Sequence, residues 1–249
     1  MVVDEAAGRA PDGAVNRAAA SERAAPDTLY GRLKTAAEAP WNAYTEHAFV
    51  HALADASLPE ACFRHYLTQD YLFLIHFARA YGLAVFKAET LADVRHAAAG
   101  LSAMVDQEMG LHVAYCRRWR LEEAEMAAAA EADATIAYTR FVLERGLAGD
   151  LLDLYVALAP CIVGYAEIGR RLKQAPTTRR DGNPYGDWID MYASPEYQEV
   201  AAAHVAQMDR LMERRGGPGR MPSLEVIFRQ ATRLEAAFWQ MGLTNPPPL

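Results

Sequence analysis

The 249-residue sequence has few cysteines and no disulfide pattern: Cys62, Cys116 and Cys161 are an odd number, with no CxxC pair and no Cys/His zinc spacing. This excludes a disulfide scaffold and fits a reducing compartment, so a cytoplasmic location is expected. A basic excess is also missing. Lys and Arg total 25 against 32 Asp and Glu, a formal charge of -7, so no broad positive surface is expected and nucleic acid is not an expected partner. The longest apolar run, Leu154 to Ala166, is shorter than the roughly 20 residues that cross a bilayer. Pro160 and Gly164 interrupt it. No membrane partner is expected, and the run reads as a helix buried on all sides. Strand-like alternation and repeats of solenoid period are missing too.

What is present is an ordinary globular balance, 52% apolar and 23% charged, in a chain long enough for one sizeable core. Residues 1–27, rich in Ala, Gly, Pro and charge, read as a flexible extension without the apolar core of a secretory signal, and 244–249 read as a Pro-rich tail. Residues 28–243 read as a single all-α domain. Helices are expected from Thr28, from Pro40, from a Ser57/Glu60 capping box to about Gly82, and from Thr90 and Asp93 to Trp119. Further helices run from Asp133 to Glu144, from Asp150 to Lys173, through Trp188 to Ser194, from Pro195 to Arg214, and from Ser223 to Gly242. The segment LEEAEMAAAAEAD is helix-prone but featureless.

Three acids fall where apolar stripes require aliphatics. Asp70 completes a face formed by Phe63, Leu67, Leu74, Phe77 and Tyr81, with Tyr66 and Phe73 one turn to either side. Glu108 and His112 occupy the stripe of Val94, Ala98, Leu101, Val105, Tyr115 and Trp119. Glu235 falls on the face of Phe228, Ala231, Phe238 and Gly242. One such acid is ordinarily an edge residue satisfied by an Arg or Tyr, but three on separate helices point to a shared polar cavity. Cys161 lies in LYVALAPCIVGYAEIG. Pro160 removes a helical N–H, so the helix is expected to kink beside the thiol, Gly164 leaves room, and Tyr165 adds a phenol one turn on, a setting that suits a nucleophile. Cys62 and Cys116 have no such surroundings and read as inert.

A di-metal site would require two Glu-x-x-His pairs on separate helices, and the sequence has none. The His47/His51 pair lacks an evident third ligand, and Tyr44, His47 and His51 read as core or surface residues of the second helix. Neither metal nor cofactor is expected.

The segments FRHYLTQDYLFLIHFAR, PCIVGYAEIGRRL, YGDWIDMY and LEAAFW, in this order, together resemble the TenA family, thiaminase II or aminopyrimidine aminohydrolase. The resemblance implies the helical fold shared with haem oxygenase and a homotetramer. It also implies hydrolysis of 4-amino-5-aminomethyl-2-methylpyrimidine to the hydroxymethyl compound in thiamin salvage, with thiamin as a further substrate. Cys161 matches the family's nucleophile and Glu235 its acid/base. Asp70 matches the acid that binds the aminopyrimidine, and Phe73 an aromatic on its ring. Tyr138, Tyr165 and Tyr192 match pocket phenols, and Glu108 and His112 resemble a pair without an assigned step. A non-catalytic pyrimidine binder and an oxidase of the same superfamily are the competing expectations.

Overall fold

A computed structural model describes residues 28–244, so the expectations for 1–27 and for nearly all of the tail lie outside the described residues. Among the described residues the regular elements are all helical. Three short helices, α1 (Leu29–Ala36), α2 (Glu38–Thr45) and α3 (Ala48–Asp55), precede the long α4 (Glu60–Lys87). Then come α5 (Leu91–Ser102), a π-helical turn (Ala103–Glu108), α6 (Met109–Arg118), α7 (Glu123–Ala128) and α8 (Asp133–Ala148). The apolar stretch forms α9 (Leu151–Ala159), a second π turn (Pro160–Gly164) and α10 (Tyr165–Gln174), followed by α11 (Gly186–Tyr192), α12 (Pro195–Arg215) and α13 (Arg220–Thr244).

Helix α13 is central: it packs against α2, α4, α8 and α9, and α4 packs in turn on α5 and α8. Its buried face carries Phe228, Ala231, Glu235, Phe238, Trp239 and Gly242. Trp239 is fully covered by Phe49 at 4.9 Å between ring centroids and by Tyr66 at 5.3 Å. Burying each such ring stabilises the fold by about 2 to 3 kcal/mol. Gly242 permits the approach, because a Cβ there would lie 2.8 Å from the Phe49 ring.

Several helix ends follow local rules. Asp150 accepts from the Leu152 and Asp153 N–H groups at the start of α9, and Asp153 returns the bond to Asp150 N–H at 2.8 Å. Ser194 caps α12 with Pro195 at its first position. Other ends differ from expectation. Ser57 makes no capping box, because Asp55 takes its N–H at 2.9 Å and Pro59 stands at the N-cap of α4. That helix passes Gly82 and continues to Lys87, whose ammonium binds the carbonyls of Leu147 and Gly149. Asp133 is the first residue of α8 rather than its cap, and the helix runs beyond Gly146 to Ala148. The last helix begins at Arg220, with the Ser223 hydroxyl donating to the Arg220 carbonyl.

The expected stripe across α5 and α6 is also corrected. The π turn Ala103–Glu108 shifts the register, so Val105 is 52% exposed while Met104, His112 and Cys116 are buried. The stretch Leu151–Gln174 is long and apolar enough, by length and composition, to cross a membrane, which the run Leu154 to Ala166 alone is not. Its most apolar window is 89% buried inside the protein, which accounts for its composition.

Candidate active site

Where Pro160 is expected to kink the helix, the structure has the second π turn. Proline supplies no N–H to the ladder, and the turn absorbs the defect without a break: Pro160 and Tyr165, on either side of Cys161, keep helical dihedrals. Cys161 is half-buried, while Pro160, Ile162, Val163 and Gly164 around it are buried.

Packed on this turn is α13, which carries Glu235, 1% exposed. Tyr138 of α8 donates its hydroxyl to Glu235 Oε1 at 2.8 Å. Burial pushes the Glu235 carboxyl up to about 8; the Tyr138 bond opposes that rise and the charge of Asp70 adds to it. Burial also holds Tyr138 protonated well above the usual phenol range, with the charges of Glu235 and Cys161 adding. Glu235 is therefore a neutral acid near neutral pH, oriented by a phenol that stays a donor.

Asp70 of α4, 6% exposed, accepts from the Tyr66 hydroxyl at 3.4 Å, and Tyr66 in turn accepts from Trp188 Nε1–H at 3.3 Å. His112 Nε2 lies 3.0 Å from the Leu67 carbonyl, so that nitrogen carries the proton. Nδ1 then faces Asp70 Oδ2 at 3.5 Å. Burial pushes His112 down to about 4, so the pair becomes an ion pair only when the ring takes a second proton. The Glu108 side chain lies outside the described residues.

The charges knit these groups into one site. Glu235 acts on Tyr44, Tyr138 and Tyr165; Cys161 acts on Tyr44, Tyr66 and Tyr138; Asp70 acts on Tyr66, Tyr165 and Glu235. Phe73 packs on Tyr138 at 5.0 Å and Phe238 at 5.7 Å. Tyr165 packs on Tyr192 at 4.8 Å and Trp239 at 5.2 Å. All seven residues named from the sequence thus belong to one aromatic and acidic neighbourhood, Tyr192 on its far side with Trp188 and Tyr197. A surface depression of about 520 Å³ lined by Lys34, Trp41, Glu46, Glu167 and Arg171 contains none of them. There Lys34 pairs with Glu167, and Arg171 with Glu46.

Sequence reasoning passed over two members. Tyr66 flanks Asp70 one turn before it, a spacing visible in the sequence, but its hydroxyl bond to the acid is not. Tyr44, read as an ordinary residue of the second helix, is fully buried and touches both α13 and the Cys161 turn; no local pattern marks it. The other cysteines behave as expected, with burial raising Cys62 and pushing Cys116 up to about 12.

The TENA/THI-4/PQQC family matches residues 35–245. An uncharacterized protein of Haemophilus influenzae is 45% identical over 82% of this chain and 93% of its own length. An aminopyrimidine aminohydrolase of Halalkalibacterium halodurans is 37% identical over 81% of this chain and 89% of its own. Among solved structures, a TenA family transcription regulator from Silicibacter sp. superposes with a TM-score of 0.83 at 44% identity, covering 87% of this chain and 97% of that one. A domain of Shewanella denitrificans with a haem oxygenase-like fold superposes with a TM-score of 0.64 at 11% identity, over 86% of this chain and 91% of that one, which bears on fold alone.

Proposed function

The chain belongs to the TENA/THI-4/PQQC family, and on that premise we propose that it is an aminopyrimidine aminohydrolase acting in thiamin salvage. Its substrate is 4-amino-5-aminomethyl-2-methylpyrimidine, and thiamin is cleaved at the same site. The relative from Halalkalibacterium halodurans bears that activity in its name. The observation that carries the chemistry is the buried Tyr138–Glu235 pair, an acid raised to about 8 in one electrostatic cluster with Cys161 and Asp70.

The steps follow from these groups. Asp70, as carboxylate, binds the amino edge of the pyrimidine while Phe73 and Tyr192 pack around the ring. The Cys161 thiolate adds to C6, and the displaced electron pair is taken up at N1, which receives the proton of Glu235. With aromaticity broken, the amino group leaves the methylene carbon from its ammonium form, the C–N electron pair departing on ammonia while the ring's electrons form an exocyclic double bond. Water adds to that carbon and releases one proton to solvent. The thiolate is then expelled and N1 returns its proton to Glu235, so the net change is amine and water to alcohol and ammonia. Tyr138 orients the acid, and Tyr165 holds the thiol or the incoming water.

The reaction needs no cofactor and no metal. The negative formal charge supports a small-molecule partner over nucleic acid. We also propose a cytoplasmic homotetramer: none of the three cysteines forms a disulfide, and Phe86, Leu91 and Leu147, all more than 60% exposed, supply apolar surface for packing between copies. Light scattering of the purified protein tests the assembly.

Incubating the full chain with the aminomethylpyrimidine tests the function. Ammonia and the hydroxymethylpyrimidine should appear together, and C161S should release neither. Binding of the pyrimidine without turnover by wild type would make the protein a non-catalytic binder.

A further inference from the structure

Cys161 sits on a π turn, a rare interruption of the regular α-helical ladder on either side of it that recurs at functional sites. Something must fix its geometry if the sulfur is to attack a ring carbon reproducibly. A phenol reaches the turn's first residue. Tyr44 of α2 donates its hydroxyl to the carbonyl of Pro160, the residue immediately before Cys161, at 3.2 Å.

We propose that Tyr44 is the positioning residue of the nucleophile: its hydroxyl holds the Pro160–Gly164 turn and so aims Cys161, and Gly164 is the space that admits its ring. This rests on the reading of Cys161 as nucleophile and adds how the sulfur is held. Three observations carry it. The Tyr44 ring is fully buried, edge-on to Trp41 at 5.6 Å and stacked on Trp239 at 6.3 Å, so it cannot swing away from the turn. Trp239 is one turn after Glu235, so the same ring braces both the turn of the nucleophile and the helix of the acid. At Gly164 a Cβ would stand 2.7 Å from the Tyr44 hydroxyl oxygen and collide with the ring. The glycine's dihedrals are ordinary helical values, so this close approach, and not backbone strain, calls for glycine. Burial, with the charges of Glu235 and Cys161, keeps the phenol protonated and therefore a donor throughout the working range.

The test uses the full-length protein and three readouts: kcat and KM for ammonia release, the melting temperature, and the second-order rate of Cys161 alkylation by iodoacetamide, followed by peptide mass mapping. Y44F removes one hydroxyl and leaves the ring. It should lower kcat about five- to tenfold, leave KM within about twofold, and lower the alkylation rate in parallel, with the melting temperature nearly unchanged. G164A attacks the same contact from the other side and should act in the same direction, more strongly. Unchanged kcat and alkylation in Y44F would overturn the proposal. So would a fall in kcat with alkylation untouched, because Tyr44 would then act on another step, or a folded G164A protein that alkylates at the wild-type rate. Activity retained by C161S would instead remove the nucleophile reading, while a Tyr44-dependent alkylation rate would still establish the positioning.

Discussion

Asp93 and Glu235 are both buried carboxylates, 4% and 1% exposed, and the protein treats them in opposite ways. Asp93, on α5, accepts from Arg214 at 2.8 Å on both oxygens, from Gln207 at 2.8 Å and from Thr90 at 2.7 Å. The Arg214 guanidinium and the other donors hold its carboxyl well below the usual carboxylate range. Among the described residues no cation pairs with Glu235. It has one phenol, and burial drives it up. A carboxylate compensated on every side holds helices together, whereas one left under-compensated carries a proton that can be delivered.

Four experiments sharpen or break that contrast. The largest effect is expected for C161S, which removes the nucleophile of the under-compensated site: ammonia release should fall by about three orders of magnitude or more, with little change in melting temperature. Wild-type-like release would dissolve the distinction. Next, E235Q should lower kcat by about 10² to 10⁴.

E235Q also separates the two carboxylates through stability. The folded value of Glu235, about 8, lies above its ordinary 4.5, so its contribution is full below pH 4.5 and is lost as pH rises through about 8. Glutamine cannot ionise, so E235Q should melt higher than wild type at pH 9 while being nearly inactive. The folded value of Asp93 lies below its ordinary 3.8, so its contribution is present above that pH and is lost as the medium becomes more acidic. Identical pH-melting curves for wild type and E235Q would contradict a raised Glu235.

D70N should act mainly on binding, raising KM by about tenfold or more, because the amide replaces an acceptor that recognises the ring's amino edge. A change confined to kcat would move Asp70 from recognition to chemistry. The smallest kinetic effect belongs to D93A. It should cost about 2 to 3 kcal/mol of stability, measured by denaturant titration, and leave kcat and KM within about twofold. A D93A protein of full stability and poor activity would reverse the comparison.

Elements whose signals are local were legible in the sequence. The Asp150 cap and the Ser194–Pro195 start depend on residues within one turn and lie where expected, and the irregularity beside Pro160 takes the form of a π turn. Ser57 was misread for an equally local reason: Asp55 competes for its N–H and wins. The π turn at Ala103–Glu108 was not legible, because nothing as plain as proline marks it; the stripe through Val105 failed with it. At the site, acids interrupting apolar faces could be found from periodicity alone. Their partners could not. Tyr138 and Glu235 are 97 positions apart, Tyr44 and Pro160 are 116 apart, and only the packed bundle brings them together. Asp70, Glu235, Cys161 and Tyr165 stand out by periodicity and local context, Tyr138 and Tyr192 owe their naming to the family resemblance, as do all the assigned roles, while the protonation of Glu235 and the bracing by Tyr44 needed the structure.

The pH dependence of kcat for ammonia release tests the central claim most directly, that Glu235 acts as a buried acid beside Cys161. Activity should fall as pH rises through about 8, because the acid form is required. In Y138F the fall should move to higher pH, since the lost phenol bond had favoured the ionised carboxylate. A profile flat to pH 10, or a Y138F limb displaced to lower pH, would contradict the account.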